Sequence, residues 1–278
     1  MGIIGMNKKT KVIFYVILIA IALIQIYPFF WVAISSFKPT SDLARPAYLL
    51  PSEMYLGNYV KALSGRLPRY FLNSMITAVC VLVSLVALGS PAGYALSKMR
   101  FGYAEQVTSF FLFGMMIPSF ACLIPMFRMY NTLGLRNSYW ALIIPQVGFG
   151  LPLCIYLYKS FMSRIPDSLT EAAAIDGATN WYIFRSIIFP MAKNVTMTTL
   201  TYNFIGVWNE FTYANTFMST AEKKTLPIGL NDFVGEMGMV DWGGTFAAIT
   251  LSILPTLILY ILLNKQVIAG MTAGAVKA

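Results

Sequence analysis

Long apolar runs broken by short polar segments dominate the chain. Crossing the hydrocarbon core takes about 20 apolar residues in a helix. Runs of that kind cover residues 12–34, 71–96, 107–126, 139–157 and 246–263. Another run, 195–217, is long enough but carries Thr196, Thr198, Thr199, Thr201, Asn203, Asn209 and Glu210. A face so polar predicts a spanning helix turned to a bundle interior or a wet cavity; a buried surface helix is the alternative. The pattern therefore predicts an all-α integral membrane protein of six transmembrane helices, forming one domain over residues 1–278.

Composition agrees with this. Only 11% of the 278 residues are charged and 58% are hydrophobic, against about 25% charged in a soluble domain. That excludes an ordinary water-soluble globule and a disordered chain. The absence of histidine removes imidazole acid–base chemistry and histidine metal ligands. Cys80, Cys122 and Cys154 lie in apolar runs without a CxxC pair, so they are expected to be packing residues. Lys8, Lys9 and Lys11 precede the first run, which is too long for a cleaved signal and has no small-residue cleavage site after it. It is expected to be a retained first helix.

The net charge of +9 is expected at the lipid-facing loops rather than on nucleic acid. With the N-terminus inside, the inner segments hold Lys8, Lys9, Lys11, Lys98, Arg100, Lys159, Arg164, Arg185, Lys193, Lys265 and Lys277, which is 11 of the 20 basic residues. The cluster before the first run is the best indicator, and it places both termini in the cytoplasm. Breakers are frequent within the runs: Pro28, Gly89, Pro91, Gly93, Pro118, Pro125, Pro145 and Pro152. Gly89 and Gly93 have the GxxxG spacing that lets helices pack closely.

The segment 163–194, between the fourth and fifth spans, is orderly for a loop. Ser168 and Glu171 have capping-box spacing, which predicts a helix start there after Pro166. Ala172, Ala173 and Ala174 favour helix, and Gly177 predicts its end. Thr179 or Asn180 can cap a second helix whose apolar face is Trp181, Phe184, Ile187 and Ile188, with Pro190 ending or kinking it. Small alanines beside Glu171 and Asp176 make a shallow charged surface. Such a surface suits a docking protein, and it equally suits an interfacial helix without a partner.

The spacing E-A-A-x3-G-x9-I-x-L-P is met by Glu171, Ala172, Ala173, Gly177, Ile187 and Pro190, with Phe189 in place of leucine. It resembles the signature loop of ABC-importer permeases. The likeness extends over nearly the whole chain: Ser35-Ser36-Phe37-Lys38, Tyr70-Phe71-Leu72-Asn73-Ser74, Trp208-Asn209-Glu210-Phe211, Thr225-Leu226-Pro227 and the tail 270–277. These stretches are similar to the shorter permease of carbohydrate importers of the maltose-transporter type, in the branch that carries oligosaccharides.

The resemblance implies a passive half-pore in a bacterial plasma or inner membrane. Its partners would be a second homologous permease, two cytoplasmic ATPase subunits and an extracellular or periplasmic sugar-binding protein, besides membrane lipid. The helix between the fourth and fifth spans would be a cytoplasmic coupling helix, with Ser168, Glu171, Ala172, Ala173, Asp176, Gly177, Ile187 and Pro190 serving ATPase coupling. ATP and Mg would be bound by the partner ATPase and no cofactor by this chain, which lacks a phosphate-cradling G-x-x-x-x-G-K-[ST] loop. The chain would not itself be an enzyme.

Glu210 is the one acid inside a span. With Trp208 as an aromatic face and Asn209 as an amide, it is a candidate for the substrate path; an internal hydrogen-bond network is the alternative. The loop 219–244 carries Glu222, Lys223, Lys224, Asp232, Glu236 and Asp241. By resemblance it reaches toward the binding protein, and the tail toward the ATPases; a solvated loop and a frayed end are the plainer readings. An ion-coupled secondary transporter is the competing function, though it would favour more intramembrane charges and internal repeats.

Overall fold

The computed structural model describes residues 7–46, 48–99, 101–233 and 240–275. Expectations for Arg100, Glu236, Val276 and Lys277 lie outside the described residues. The chain divides into two compact units, one ending at Pro68 and taking in Leu230–Ile253, the other comprising Arg69–Gly229 with the stretch from Leu254. Among the described residues the regular structure is helical.

In the first unit, α1 (Lys8–Ser35) is long and apolar, and its spanning window is unburied by the rest of the chain. Trp31 meets Phe246 edge-on at 5.2 Å. The turn after α1 is captured by Asn58 of α2 (Gly57–Ser64), whose amide donates to the Ser36 and Lys38 carbonyls, each at 2.9 Å. Satisfying buried carbonyls in this way explains the Ser35–Lys38 stretch. Asp241 pairs with Lys61 at 2.6 Å and accepts from the Gly244 N–H, so this acid of the 219–244 loop is engaged within the chain.

The second unit is built on α3 (Leu67–Lys98) and α6 (Trp140–Met162). A Cβ at Gly89 would lie 2.5 Å from Cys154 Sγ, and one at Gly93 would lie 2.4 Å from Tyr158 Cβ. The GxxxG spacing thus brings these two backbones together, as small residues do in membranes. Val81, Leu85, Cys154, Tyr158, Met162 and Ile188 form the buried core beside this approach. Cys154 packs as expected, but Cys80 is exposed and Cys122 only half buried.

Two spans differ from expectation. The run 107–126 is two helices, α4 (Ala104–Gly114) and α5 (Leu123–Thr132). With the 3-10 turn Ser119–Cys122 before α5, the pair is bent by 78°. Pro118 disfavours helix at the residue before it, and Pro125 sits in the first turn of α5, where its missing N–H costs nothing. The run 195–217 forms α10 (Lys193–Trp208) and α11 (Thr212–Phe217). At 1.5 Å per residue α10 is about 24 Å long, short of a hydrocarbon core of about 30 Å. The polar side chains of α10 mostly bond back along the helix: Thr196, Thr198 and Thr201 donate to carbonyls four residues earlier, and Asn203 to Thr199.

Four helices are long and apolar enough to cross a membrane, and a fifth crossing results if α4 and α5 count as one. The last is α12 (Trp242–Ala275).

Gly93→Ala forces a methyl into the α3–α6 contact. It is expected to cost about 1–3 kcal/mol, the range for overpacking, and to lower the thermal midpoint of the detergent-solubilised protein. Gly148→Ala, where a Cβ meets nothing, should leave that midpoint near the parent's.

Candidate functional site

The loop between α6 and α10 begins at Pro166, whose extended backbone (φ −58°, ψ 134°) stands at the entry to α7 (Asp167–Ile175). The helix therefore starts one residue before Ser168, and no side chain caps it. The expected capping box is corrected: Ser168 lies inside the first turn. Proline has already ended the preceding turn, and Asp167 puts its negative charge at the helix N-terminus. Thr170 Oγ1 donates to the Asp167 carbonyl at 2.7 Å.

The other end of α7 is as the sequence predicts. Gly177 has φ +81°, its N–H donates to Ala174 O at 3.0 Å, and the Ala178 N–H reaches Ala173 O at 2.9 Å. These two bonds are the Schellman pattern. Thr179 Oγ1 then accepts from the Tyr182 N–H at 3.3 Å, capping α8 (Asn180–Ile183).

The second helix departs from the expected face. Residues Phe184–Ile188 form a π turn leading into α9 (Phe189–Met191). Pro190 has no N–H to give the fourth carbonyl back, and widening the turn relieves the clash. The wider turn shifts the register. Ile183, Phe184 and Ile188 are buried, Ile187 is half buried, and Trp181 is 63% exposed instead of joining the apolar face.

No side chain of α7 is buried. Ala173 packs against the core of the unit, while Glu171, Ala172 and Asp176 are exposed. Ile175 is 86% exposed, and Leu169, Trp181 and Tyr182 are exposed with it. Sequence reasoning missed this apolar group, because Ile175 sits among alanines as though on a packed face. A groove of about 560 Å³ runs between Ala173, Asp176, Gly177, Thr179, Tyr182 and Ile187. Pro190 lies outside its lining and is exposed. Lys98 of α3 donates to Asp167 Oδ1 at 2.6 Å and to the Ile165 carbonyl, fixing the start of α7.

The candidates for the substrate path separate. Trp208 is buried, stacked on Phe204 at 5.4 Å and edge-on to Phe71 at 5.2 Å. Neighbouring rings thus lie against the aromatic face the sequence offered. Asn209 is exposed, and its amide donates to Ile205 O at 2.8 Å. Glu210 accepts from the Tyr213 and Ala214 N–H groups at 2.6 and 3.0 Å, capping the first turn of α11. The Glu210 carboxylate thereby satisfies backbone donors that the helix break would otherwise orphan. Among the described residues no three Cys, Asp or Glu side chains stand together to hold a metal ion.

A family model, described as the binding-protein-dependent transport system inner membrane component, matches residues 85–272, which include the whole loop with α7. The chain belongs to this family. It is a permease subunit and a multi-pass membrane protein. The permease is 34% identical over 263 residues to the trehalose/maltose transport system permease protein MalG of Thermococcus litoralis, covering 93% of this chain and 94% of that one. It is 33% identical to the multiple sugar-binding transport system permease protein MsmG of Streptococcus mutans, covering 98% and 100%. A bacterial ABC transporter that imports the acidic polysaccharide alginate shares the fold, with a TM-score of 0.81 at 24% identity, over 94% of this chain and 98% of that one.

Gly177 holds the permease loop in a conformation that L side chains resist. Gly177→Val is expected to cost about 1–3 kcal/mol and to speed amide exchange at Gly177 and Ala178 of the loop. Gly177→Asn, which tolerates the left-handed region better, should change exchange much less.

Proposed function

We propose that this permease forms half of the translocation pore of an ATP-driven sugar importer and receives work through α7. The carrying observation is Ile175, 86% exposed at the end of a helix with no buried side chain. An isoleucine and three other large apolar side chains held in water on a rigid, capped loop fit a surface that a partner covers. Glu171 and Asp176 add charges for basic residues of that partner, and a partly desolvated, charge-assisted bond is stronger than a surface ion pair. The partner is a cytoplasmic ATPase subunit, which also binds the ATP and Mg.

In this reading α4 with α5 is the third span and α10 with α11 the fifth, giving six spans in one permease domain with both termini cytoplasmic. α7 is the coupling helix. Lys8, Lys9 and Lys11 support the orientation. The assembly includes a second homologous permease, two ATPases and an external sugar-binding protein. The cargo is an oligosaccharide; the trehalose/maltose and multiple-sugar systems of the relatives support that class, as does the galactooligosaccharide system of Bacillus subtilis, whose permease GanQ is 32% identical. Asn209 and Glu210 sit where α10 breaks and remain candidates for the path, with Trp208 behind them as support.

An ion-coupled carrier is the second reading. The two broken spans favour it, since secondary transporters bind at discontinuous helices. Energisation separates the two. In vesicles, uptake by the importer is expected to stop with vanadate and to survive a protonophore while ATP is held constant; the opposite pattern establishes the ion-coupled carrier.

Ile175→Asp is expected to weaken ATPase association by at least roughly thirtyfold, the effect of a 2 kcal/mol hot spot, in copurification from membranes. Unchanged recovery of the ATPase subunit removes α7 as the docking element.

A further inference from the structure

Helix α3 is held at both of its ends by buried polar side chains. Near one end, the Lys98 side chain is only 2% exposed and joins Asp167 and the Ile165 carbonyl, the entry to α7. Near the other, Asn73 is fully buried. Its amide donates to the Glu222 carbonyl at 2.9 Å and the Lys224 carbonyl at 2.7 Å, and its Oδ1 accepts from the Tyr139 hydroxyl at 2.7 Å. Ser74 Oγ, next along, accepts from the Leu226 N–H at 2.8 Å. These bonds tie the loop 222–226 to α3.

The helix between the two latches is continuous. From Asn73 to Lys98 it spans about 37 Å at 1.5 Å per residue. Pro91, its weak point, lies between Gly89 and Gly93, where α6 packs closely against it. That backing opposes the bend proline would otherwise allow. The Lys98–Asp167 pair differs from a surface ion pair of small effect in that its ammonium is buried and also donates to the Ile165 carbonyl. Each gathers two or more partners around a side chain withdrawn from solvent, so each resists slipping.

We infer that α3 is a strut that carries displacement of α7 to the loop 222–226 at the helix's other end, with Lys98 and Asn73 as its positioning residues. The inference rests on the reading of α7 as the element an ATPase moves. A physical warrant for coupling between distant sites is an element that both sites bias, and α3 is bonded to both. Lys98 drives the start of α7 through an ammonium that cannot follow both partners if α3 stays still. Asn73 holds the far loop through the Glu222 and Lys224 backbone carbonyls.

The test uses the assembled complex in proteoliposomes, carrying Glu222→Cys as an exposed reporter at the far loop. The parent is expected to change its rate of labelling by a membrane-impermeant maleimide roughly fivefold or more when ATP and vanadate are added, within the usual range of allosteric coupling. Lys98→Met and Asn73→Ala should each abolish most of that change with ATPase subunits still copurifying, whereas Lys98→Arg should keep it. A merely structural role would alter the yield of complex and leave the nucleotide response intact. Should Lys98→Met fail to assemble, Asp167→Asn, whose carboxylate is 62% exposed, makes the same measurement from the loop side. A full nucleotide response in an assembled Lys98→Met or Asp167→Asn complex overturns the strut. A parent without any response overturns the ATPase-driven reading beneath it.

Discussion

Hydrocarbon offers no hydrogen bonds, so every backbone donor and acceptor at membrane depth needs a partner within the protein. That constraint governs the permease. Where α10 stops, Glu210 supplies acceptors to the first N–H groups of α11. Along α10, threonine and asparagine side chains return to carbonyls of their own helix, so a polar sequence can still be a helix. At Pro118 and Pro125 the chain puts the residues that lack an N–H where no N–H is wanted. Asn58 and Asn73, both buried, each collect two carbonyls from turns at the helix ends.

The loop with α7 obeys a different rule, since water can satisfy its backbone. The ends of α7 are set locally, by Pro166 at one and Gly177 at the other, and no side chain of the helix is buried. That independence is what allows Ile175, Leu169 and Tyr182 to stay outside the core. A surface that is rigid and uncovered at once gives a partner a fixed target, with little ordering cost on binding. The Lys98–Asp167 pair, with a buried ammonium and an exposed carboxylate, ties the start of this loop to α3.

The sequence made much of this legible. The GxxxG pair at Gly89 and Gly93, the glycine end of α7 and the Thr179 cap each depend on one residue type in one backbone setting, and each appears as the pattern predicts. The Glu171-to-Pro190 spacing led to the right family, because its positions are fixed relative to one another. Legibility failed where two local signals competed. Ser168 and Pro166 both mark a helix start, and proline prevailed because its ring acts on the backbone directly while a capping hydroxyl adds only one bond. The periodicity through Trp181 and Ile187 assumed 3.6 residues per turn, which Pro190 upset by widening the turn to a π form.

By itself the sequence determined which stretches are apolar enough to leave water, where prolines and glycines interrupt them, and the family these spacings belong to. Those properties are local, set by side-chain transfer and by the φ each residue admits. Only the tertiary structure decided that Trp208 is covered by Phe71 and Phe204, that Glu210 caps α11 after the break in α10, and that Lys98 and Asn73 join α3 to loops far along the chain. Such pairings join residues up to 151 positions apart. No periodicity encodes them, because they arise only once the helices have packed and the remaining polar groups must find one another.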